Sequence, residues 1–457
     1  MLLKRLSIVA LLLFIVIPNV KAQDTLRVMA YNVLTYGDGC QGPPDTLNKY
    51  LKTIVAYTNP DVISMEKMAS IQVSPSDIRG ILPYGYADSI VQNALNVAYP
   101  NRYDHCPLTN TVESTDMCVL FYDKHKLTFE SVATLVAYIT DFDMYKFYYN
   151  DPKLSTIHDT TFLYFVLNHT QSGDNATMRD TQIANESKVI ESRFYHLPNM
   201  ISMGDFNTRS SYEGCYQALT NPADTNFRFY DPAFYPDATY TYPATWDSDP
   251  AAFTTHLTTS TRQSGSIPNS CGTSGGAKSW YDHMFISPWI IENANYVKYI
   301  PNSYRTIGND GHRLGISVND SSSVKNFSAP SNVINALFQF SNKYPVMVDL
   351  AVTSNTTGVS PTDPELPTAV ARLELSKEHI TIVNPILSRL TMHIPEALIG
   401  KPVTTECYDS YGRLLMQKNI VLNSSVMQLQ NNWQPGVYYI RIYNKDGILC
   451  HTSIVKE

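Results

Sequence analysis

Upstream of residue 354, short apolar runs rich in β-branched and aromatic side chains alternate with stretches whose apolar residues recur at helical spacing. The pattern predicts a strand over 26–33, a helix over 47–57 and a strand over 61–65, and that order is the mark of an α/β domain. Downstream of residue 371 the runs become short alternating strands separated by turns at Asn384-Pro385, Tyr411-Gly412 and Pro435-Gly436, which predicts a small all-β sandwich. Between them SNTTGVSPTDPELPT carries three prolines and almost no apolar residue, so 354–370 reads as a linker between a domain over 24–353 and a second over 371–457. The polar, Gly/Ser-rich stretch 254–279 predicts a surface excursion from the first domain, with Cys271 available to pin it.

The first residues add an expectation about compartment. Lys4 and Arg5 precede an apolar run from Leu6 to Ile17, then Pro18 and the small-residue pattern Val20-Lys21-Ala22, which together predict a secretory signal peptide over 1–22. The run is too short to span a bilayer comfortably, and no later segment resembles a membrane span. Cleavage would remove three basic residues and take the formal charge from -7 to -10. An acidic surface gains little from counterion release, so tight binding to long DNA or RNA is not expected. Seven cysteines in an oxidising compartment permit disulfides; their spacing matches no zinc pattern, and the odd count leaves at least one unpaired within the chain.

Residues able to bind cations and phosphate recur at the ends of the expected strands. LRVMAYNVLTYG places Asn32, DVISMEKM places Glu66 and Lys67, and LYFVLNHTQSG places His169, with Arg179 shortly after. NMISMGDFNTRSS carries Asp205 and Asn207, SWYDHMFIS carries Asp282, and FSNKYPVMVDLAV closes the domain with Asn342 and Lys343. Carboxylates, amides and a histidine gathered on one rim of a sheet are what cation binding, phosphate binding and water activation require. His105, His125, His158 and His196 lack metal-like spacing and read as surface or packing residues.

Taken in order over roughly 24–353, these motifs resemble the endonuclease/exonuclease/phosphatase superfamily, the metal-dependent fold of DNase-like nucleases, bacterial sphingomyelinases and inositol-phosphate phosphatases. The resemblance implies an α/β four-layer sandwich of two stacked mixed β-sheets flanked by helices, followed by the small immunoglobulin-like sandwich. It implies that Asn32 and a glutamate on the second strand hold Mg²⁺ or Mn²⁺, and that Asp205 and Asn207 position water and phosphate. It also places His169 in the site and gives Asp282 the task of orienting a histidine from a terminal Ser-Asp-His motif. Arg179 matches an arginine the family carries downstream of the histidine motif, a position more often structural than phosphate-binding.

The chain departs from this pattern where the charges should be. The usual Asp-Ile-Ile-x-Leu-Gln-Glu-Val strand reads Asp61-Val62-Ile63-Ser64-Met65-Glu66-Lys67-Met68, so Lys67 stands at the metal-binding glutamate. Glu66, one place early, is expected to face away from the site unless a bulge shifts the register. The Ser-Asp-His-x-Pro-Val ending reads Ser341-Asn342-Lys343-Tyr344-Pro345-Val346. The cluster's charges now cancel, leaving little electrostatic reason to hold Mg²⁺, and Lys67 and Lys343 are expected to pair with Asp205 and Asp282 as internal cations. Asp310 and His312, in Asn309-Asp310-Gly311-His312, offer a replacement pair, but the inserted glycine breaks the adjacent spacing and the bland reading is a solvated turn. A lysine can also hold phosphate directly as a point charge.

Residues 371–457 resemble the type A C-terminal sorting domain of the type IX secretion system through Asn384-Pro385, the Asp409-x-x-Gly412-Arg413 turn, Leu429, Pro435-Gly436-x-Tyr438 and Lys456. A generic immunoglobulin-like adhesion module has the same strands and turns. The sorting resemblance implies type IX machinery as a partner and a secreted or outer-surface location. The functional expectation is therefore an exported, catalytically impaired relative of phosphoesterases that binds a ligand. The alternative is an active divalent-metal-dependent phosphoester hydrolase: a nuclease, phosphodiesterase or phosphatase.

Overall fold

In the first strand, Val28 and Ala30 are buried on one side while Met29, Tyr31 and Val33 are buried on the other, so it must lie between two layers. The computed structural model describes residues 23–70, 84–235, 244–263, 271–361, 364–366, 380–383, 386, 389–409, 413–430, 433–444 and 447–456. The chain divides into two compact units, Met1–Glu365 and Leu366–Glu457.

The first unit contains β1 (Gln23–Tyr36), β2 (Val62–Ala69), β3 (Tyr103–His105), β4 (Asp116–Asp123), β5 (Leu127–Ala137), β6 (Asp141–Tyr149), β7 (Phe162–His169), β8 (Met200–Asp205), β9 (Asp282–Ile286), β10 (Val297–Tyr299), β11 (Arg305–Thr306) and β12 (Val346–Thr353). One sheet runs β10-β12-β1-β2-β4-β3, with β11 also on β12, and the other runs β5-β6-β7-β8-β9. Both are mixed, since β1 and β2, and likewise β7 and β8, are parallel while the remaining pairs are antiparallel.

Val28, Ala30, Val62 and Leu120 from one sheet meet Phe165, Leu167, Ile201 and Met203 from the other. Outside them, helix Pro44–Thr58 buries Leu47, Leu51 and Ile54, and helix Ser331–Phe340 buries Val333, Ile334 and Leu337. Helix Ala176–Arg193 buries Ile183 and Ile190 in the outer core with Tyr164 and Val166 of β7. Each such side chain contributes about 1.5–3 kcal/mol, so these stripes hold the four layers together. The first of the helices starts behind Pro43 with proline at its first turn and stops at Asn59 in the left-handed region, φ 49°.

Two expectations about loops change. Thr258, Ser260, Thr261 and Arg262 are fully buried, so 257–262 is an internal wall and not a surface excursion, while Thr255, Gln263, Gly272, Thr273 and Lys278 are exposed. Several of its polar groups find partners inside: Thr261 Oγ1 donates to Ser341 O at 2.5 Å and Arg262 Nε to Phe338 O at 2.8 Å. Cys271 is bonded to Cys40, while Cys106, Cys118, Cys215, Cys407 and Cys450 are buried thiols. The described part of the expected linker, as far as Glu365, is tied to the first unit: Asn355 N donates to Asp151 at 2.8 Å, Tyr195 N to Pro364 O at 2.8 Å, and Lys146 pairs with Glu365 at 2.8 Å.

The second unit is all-β, as the sequence predicts. It contains β13 (Thr381–Ile382), β14 (Arg389–His393), β15 (Pro402–Asp409), β16 (Leu414–Val421), β17 (Val426–Gln430), β18 (Gly436–Asn444) and β19 (Gly447–Lys456). Sheets β13-β14-β17 and β16-β15-β18-β19 share a core that includes Leu390, Met392, Val403, Ile440 and Ile454. Arg413 closes onto Asp409 at 2.7 Å. The proposed signal peptide, Asn384-Pro385 and Tyr411-Gly412 lie outside the described residues. Among the described residues no helix is long and apolar enough to cross a membrane.

Candidate functional site

The parallel pairs deliver their strand ends to one rim. On the second sheet His169 lies beside Asp205, and Asp205 opposite Asp282; on the first, Asn32 lies beside Glu66. The two-residue period that points Val28 and Ala30 between the sheets points Asn32 there too, and likewise Leu167 leads to His169 and Met203 to Asp205.

The Gly204-Asp205-Phe206-Asn207 turn is fixed by its backbone. Gly204 has φ 134°, and a Cβ there would lie 2.1 Å from Asn168 O, so only glycine fits. Asp205 Oδ1 accepts from Asn207 N at 3.0 Å, and Asn207, at φ 47°, spends its Nδ2 on Thr170 O at 3.0 Å. On the outer face beside Asn168 lies Glu186, fully buried with no hydrogen-bond partner at either carboxylate oxygen. Burial lifts its pKa to about 8 against the opposing influence of Ser202 and Asn168.

Lys343, three residues before β12, enters between the two aspartates: Nζ is 2.9 Å from Asp205 Oδ2 and 3.8 Å from Asp282 Oδ2, and lies 4.9 Å over the Tyr281 ring. Asn32 Nδ2 donates to the same Asp205 oxygen at 2.8 Å. Burial opposes the charge on Asp205, but Lys343, His169 and Asn32 outweigh it and hold the carboxyl below its usual range. For Asp282, burial together with the nearby Asp205 outweighs Lys343 and drives the carboxyl upward. Burial also works against the Lys343 ammonium, and the two aspartates more than restore it. His169 is pushed down to about 4, chiefly by burial, so it is a neutral imidazole at neutral pH, with Nδ1 unpartnered.

The second strand corrects the expectation for Glu66. Val62 faces the space between the sheets, and Ser64 and Glu66 follow on that same face. A bulge then sets Glu66 and Lys67 against Cys118, with Lys67 in the left-handed region at φ 63°. Glu66 is thus buried toward the aspartates, taking a hydrogen bond from Ser64 Oγ and leaving Oε2 unpartnered. Burial, reinforced by the charges of Asp282 and Asp205, raises its pKa well above the ordinary value despite Ser64, which favours the neutral acid. Lys67 lines the cleft, but among the described residues it makes no ion pair within 4.0 Å with Asp205 or Asp282. Only one of the two lysines expected between the aspartates is there.

Above this cluster opens a cleft of about 400 Å³, lined among others by Asn32, Lys67, Asp116, His169, Asn207, Arg209, Thr259, Thr273, Tyr281, Asn342 and Lys343. Arg209 was not singled out from the sequence; its signal was a basic residue just past the Asp-x-Asn turn. It pairs with Asp174 at 2.5 Å, an aspartate 92% exposed, and its Nε lies 3.7 Å from Asp247. Asn342 Nδ2 donates to Thr273 Oγ1 at 2.5 Å, leaving Oδ1 unpartnered.

Other candidates lie elsewhere. Arg179 is buried with its fork on Glu213 at 2.8 Å and Nη1 on Gly173 O at 2.8 Å, so it braces a helix and cannot hold phosphate. Asp310 receives Arg313 at 2.9 Å and His312 N at 2.9 Å; His312 is exposed, and neither residue lines the cleft. They replace nothing.

The position a divalent cation would need between Asp205 and Asp282 is taken by the Lys343 ammonium. Among the described residues, the group of His, Cys, Asp or Glu ligand atoms lying within 4.8 Å of one another is Asp180, Glu213 and Cys215, away from the cleft and with Glu213 committed to Arg179. In the cleft the cation between the carboxylates is Lys343.

No protein-family model and no curated protein matches the chain. Among solved structures it is similar to D. rerio TDP2 complexed with single strand DNA product, at 13% identity over 71% of this chain and 98% of that one, TM-score 0.42. A mannosyl-6-phosphatase from Bacteroides thetaiotaomicron VPI-5482 is similar at 13% identity over 71% and 99%, TM-score 0.41. An endonuclease/exonuclease/phosphatase from Beutenbergia cavernae DSM 12333 is similar at 13% identity over 94% and 99%, TM-score 0.37.

Proposed function

We propose that this is an exported binding protein of the endonuclease/exonuclease/phosphatase type, whose cleft takes an anionic, phosphate-bearing ligand without a metal ion. The carrying observation is Lys343 Nζ seated 2.9 Å from Asp205 and 3.8 Å from Asp282, where a divalent cation would need to sit to use those carboxylates. Lys67 and Arg209 add two further positive charges to the cleft wall, with Asp116 and Asp205 as its counter-charges. Arg209 is partly exposed, and its pairs with exposed Asp174 and, at 3.7 Å, with Asp247 are weak in water and readily exchanged for a ligand oxyanion. Hydrolysis would need Asp205 to orient water, and that carboxylate is engaged by Lys343 and Asn32. Binding is the chemistry left.

Calorimetric titration of the full chain with inorganic phosphate, sugar phosphates and nucleotides, with and without EDTA, tests this reading. We expect binding insensitive to EDTA and weakened about tenfold by Lys67→Ala or Arg209→Ala, the loss of one charge-assisted contact. Metal-dependent hydrolysis in a phosphodiesterase and phosphomonoesterase screen, abolished by Asp205→Ala, would replace this reading with the hydrolase alternative.

Export rests on the sequence pattern of 1–22 and the motifs of 371–457. Fractionation of cells making the whole chain or a chain ending at Glu365 tests it: only the whole chain should reach the surface or medium. Equal distribution of the two would remove the sorting role.

A further inference from the structure

We propose a second binding site, for the ring of a neutral sugar, in a cavity of about 230 Å³ at the opposite rim of the second sheet. Phe162 opens β7 and Asn199 immediately precedes β8, whereas the far ends of these strands carry His169 and Asp205. The eight residues of β7 therefore separate this cavity from the cleft by roughly 25 Å. Phe162, Tyr164 and Trp289 line it together with Asp159, Asn199 and Asn295.

Two buried carboxamides suggest a cavity made to receive hydrogen-bond donors. Asn199 is 1% exposed and its Nδ2 donates to Phe162 O and Asn295 O, both at 3.0 Å. Those two bonds fix which way the amide faces and leave Oδ1 unpartnered. Asn295, 6% exposed, likewise has an unpartnered Oδ1. A buried acceptor left unpaired costs about 1–3 kcal/mol, and both amides border this cavity, so an occupant that brings donors within reach of them relieves that cost. Asp159 is a third acceptor, held in place by Asn355 Nδ2 at 2.6 Å.

The class of occupant follows from the lining. All three of these polar side chains accept or can accept, so the ligand supplies donors, and the Asp159 carboxylate disfavours an anion. An organic cation would meet Lys146, whose ammonium already lies 4.4 Å over the Phe162 ring and 5.5 Å over Tyr164 and pairs with Glu365 at 2.8 Å. A neutral polyol remains. The three aromatic rings favour one with a flat C–H face, a cyclic sugar over an open chain, and Trp289, backed by His196 at 4.8 Å, is the platform for it.

The test is titration of the full chain with glucose, galactose, mannose and N-acetylglucosamine, followed by tryptophan emission and ligand-detected saturation-transfer NMR. Choline serves as the cation arm. We expect at least one sugar to bind in the millimolar range, weakened at least fivefold by Trp289→Ala and by Asp159→Ala and unchanged by Lys67→Ala in the cleft. Asp159 is only partly buried, so its variant reads the site even if Trp289→Ala fails to fold. Binding of choline and of no sugar would overturn the ligand class. Absence of sugar binding, or sugar binding that neither Trp289→Ala nor Asp159→Ala changes, would overturn the site.

Discussion

Lys343 Nζ and Asp205 Oδ2 are 2.9 Å apart, with the two side chains 8% and 2% exposed. A charge pair so far from water holds while both partners are present and is costly to break from one side. We expect Lys343→Met to lower stability by about 3–5 kcal/mol, and Lys343→Met combined with Asp205→Asn to recover a large part of that loss. Urea denaturation of the two single variants and the double closes the cycle; additive losses would show that the pair is not coupled.

Gly204 lies against the Asn168 carbonyl with no room for a methyl group. Gly204→Ala should cost more than about 4 kcal/mol, because it combines a backbone clash with a φ that alanine rarely adopts. A thermal melt within a few degrees of the parent would refute the tight approach of β7 and β8.

Glu186 gives the first unit a pH dependence of its own. Its folded pKa, about 8, lies above the ordinary 4.5, so the stability it contributes is complete below pH 4.5 and is lost as the pH rises through 8. The difference of 3.5 pK units corresponds to something of the order of 5 kcal/mol. Glu186→Gln should therefore flatten the decline in denaturation free energy between pH 5 and pH 8. A variant with the parent's slope would exclude Glu186 as its source.

Arg179 and Arg209 should separate structure from binding. Arg179→Lys gives up the paired contact with Glu213 and should destabilise the fold by about 1–3 kcal/mol while leaving phosphate affinity at the parent value. Denaturation and phosphate titration on the same sample check both halves. A loss of affinity without loss of stability would return Arg179 to the binding site.

The rim was legible because polar residues that end apolar strands have few reasons to be there, and Asn32, His169, Asp205 and Asp282 all meet on it. Glu66 keeps the alternation of Val62 and Ser64 and so faces the site one place earlier than the family frame implies. Lys67 was not legible, because a bulge set against Cys118 on a neighbouring strand decides its course. The stretch around Thr258–Arg262 misled for a different reason: composition marks polar residues as exposed, whereas these are buried with several of their polar groups bonded to Ser341 and Phe338. The proline-rich segment after 354 likewise concealed its anchors, Asn355 and Glu365.

The bond from Cys40 to Cys271 spans 231 positions of sequence. Closing so long a loop restricts the unfolded chain by about 5 kcal/mol in the chain-entropy view. It also decides what a protease can accomplish. A single cut anywhere between those two cysteines leaves one covalent molecule, which migrates as two pieces only after reduction, so most of the first unit can be nicked without either fragment being shed.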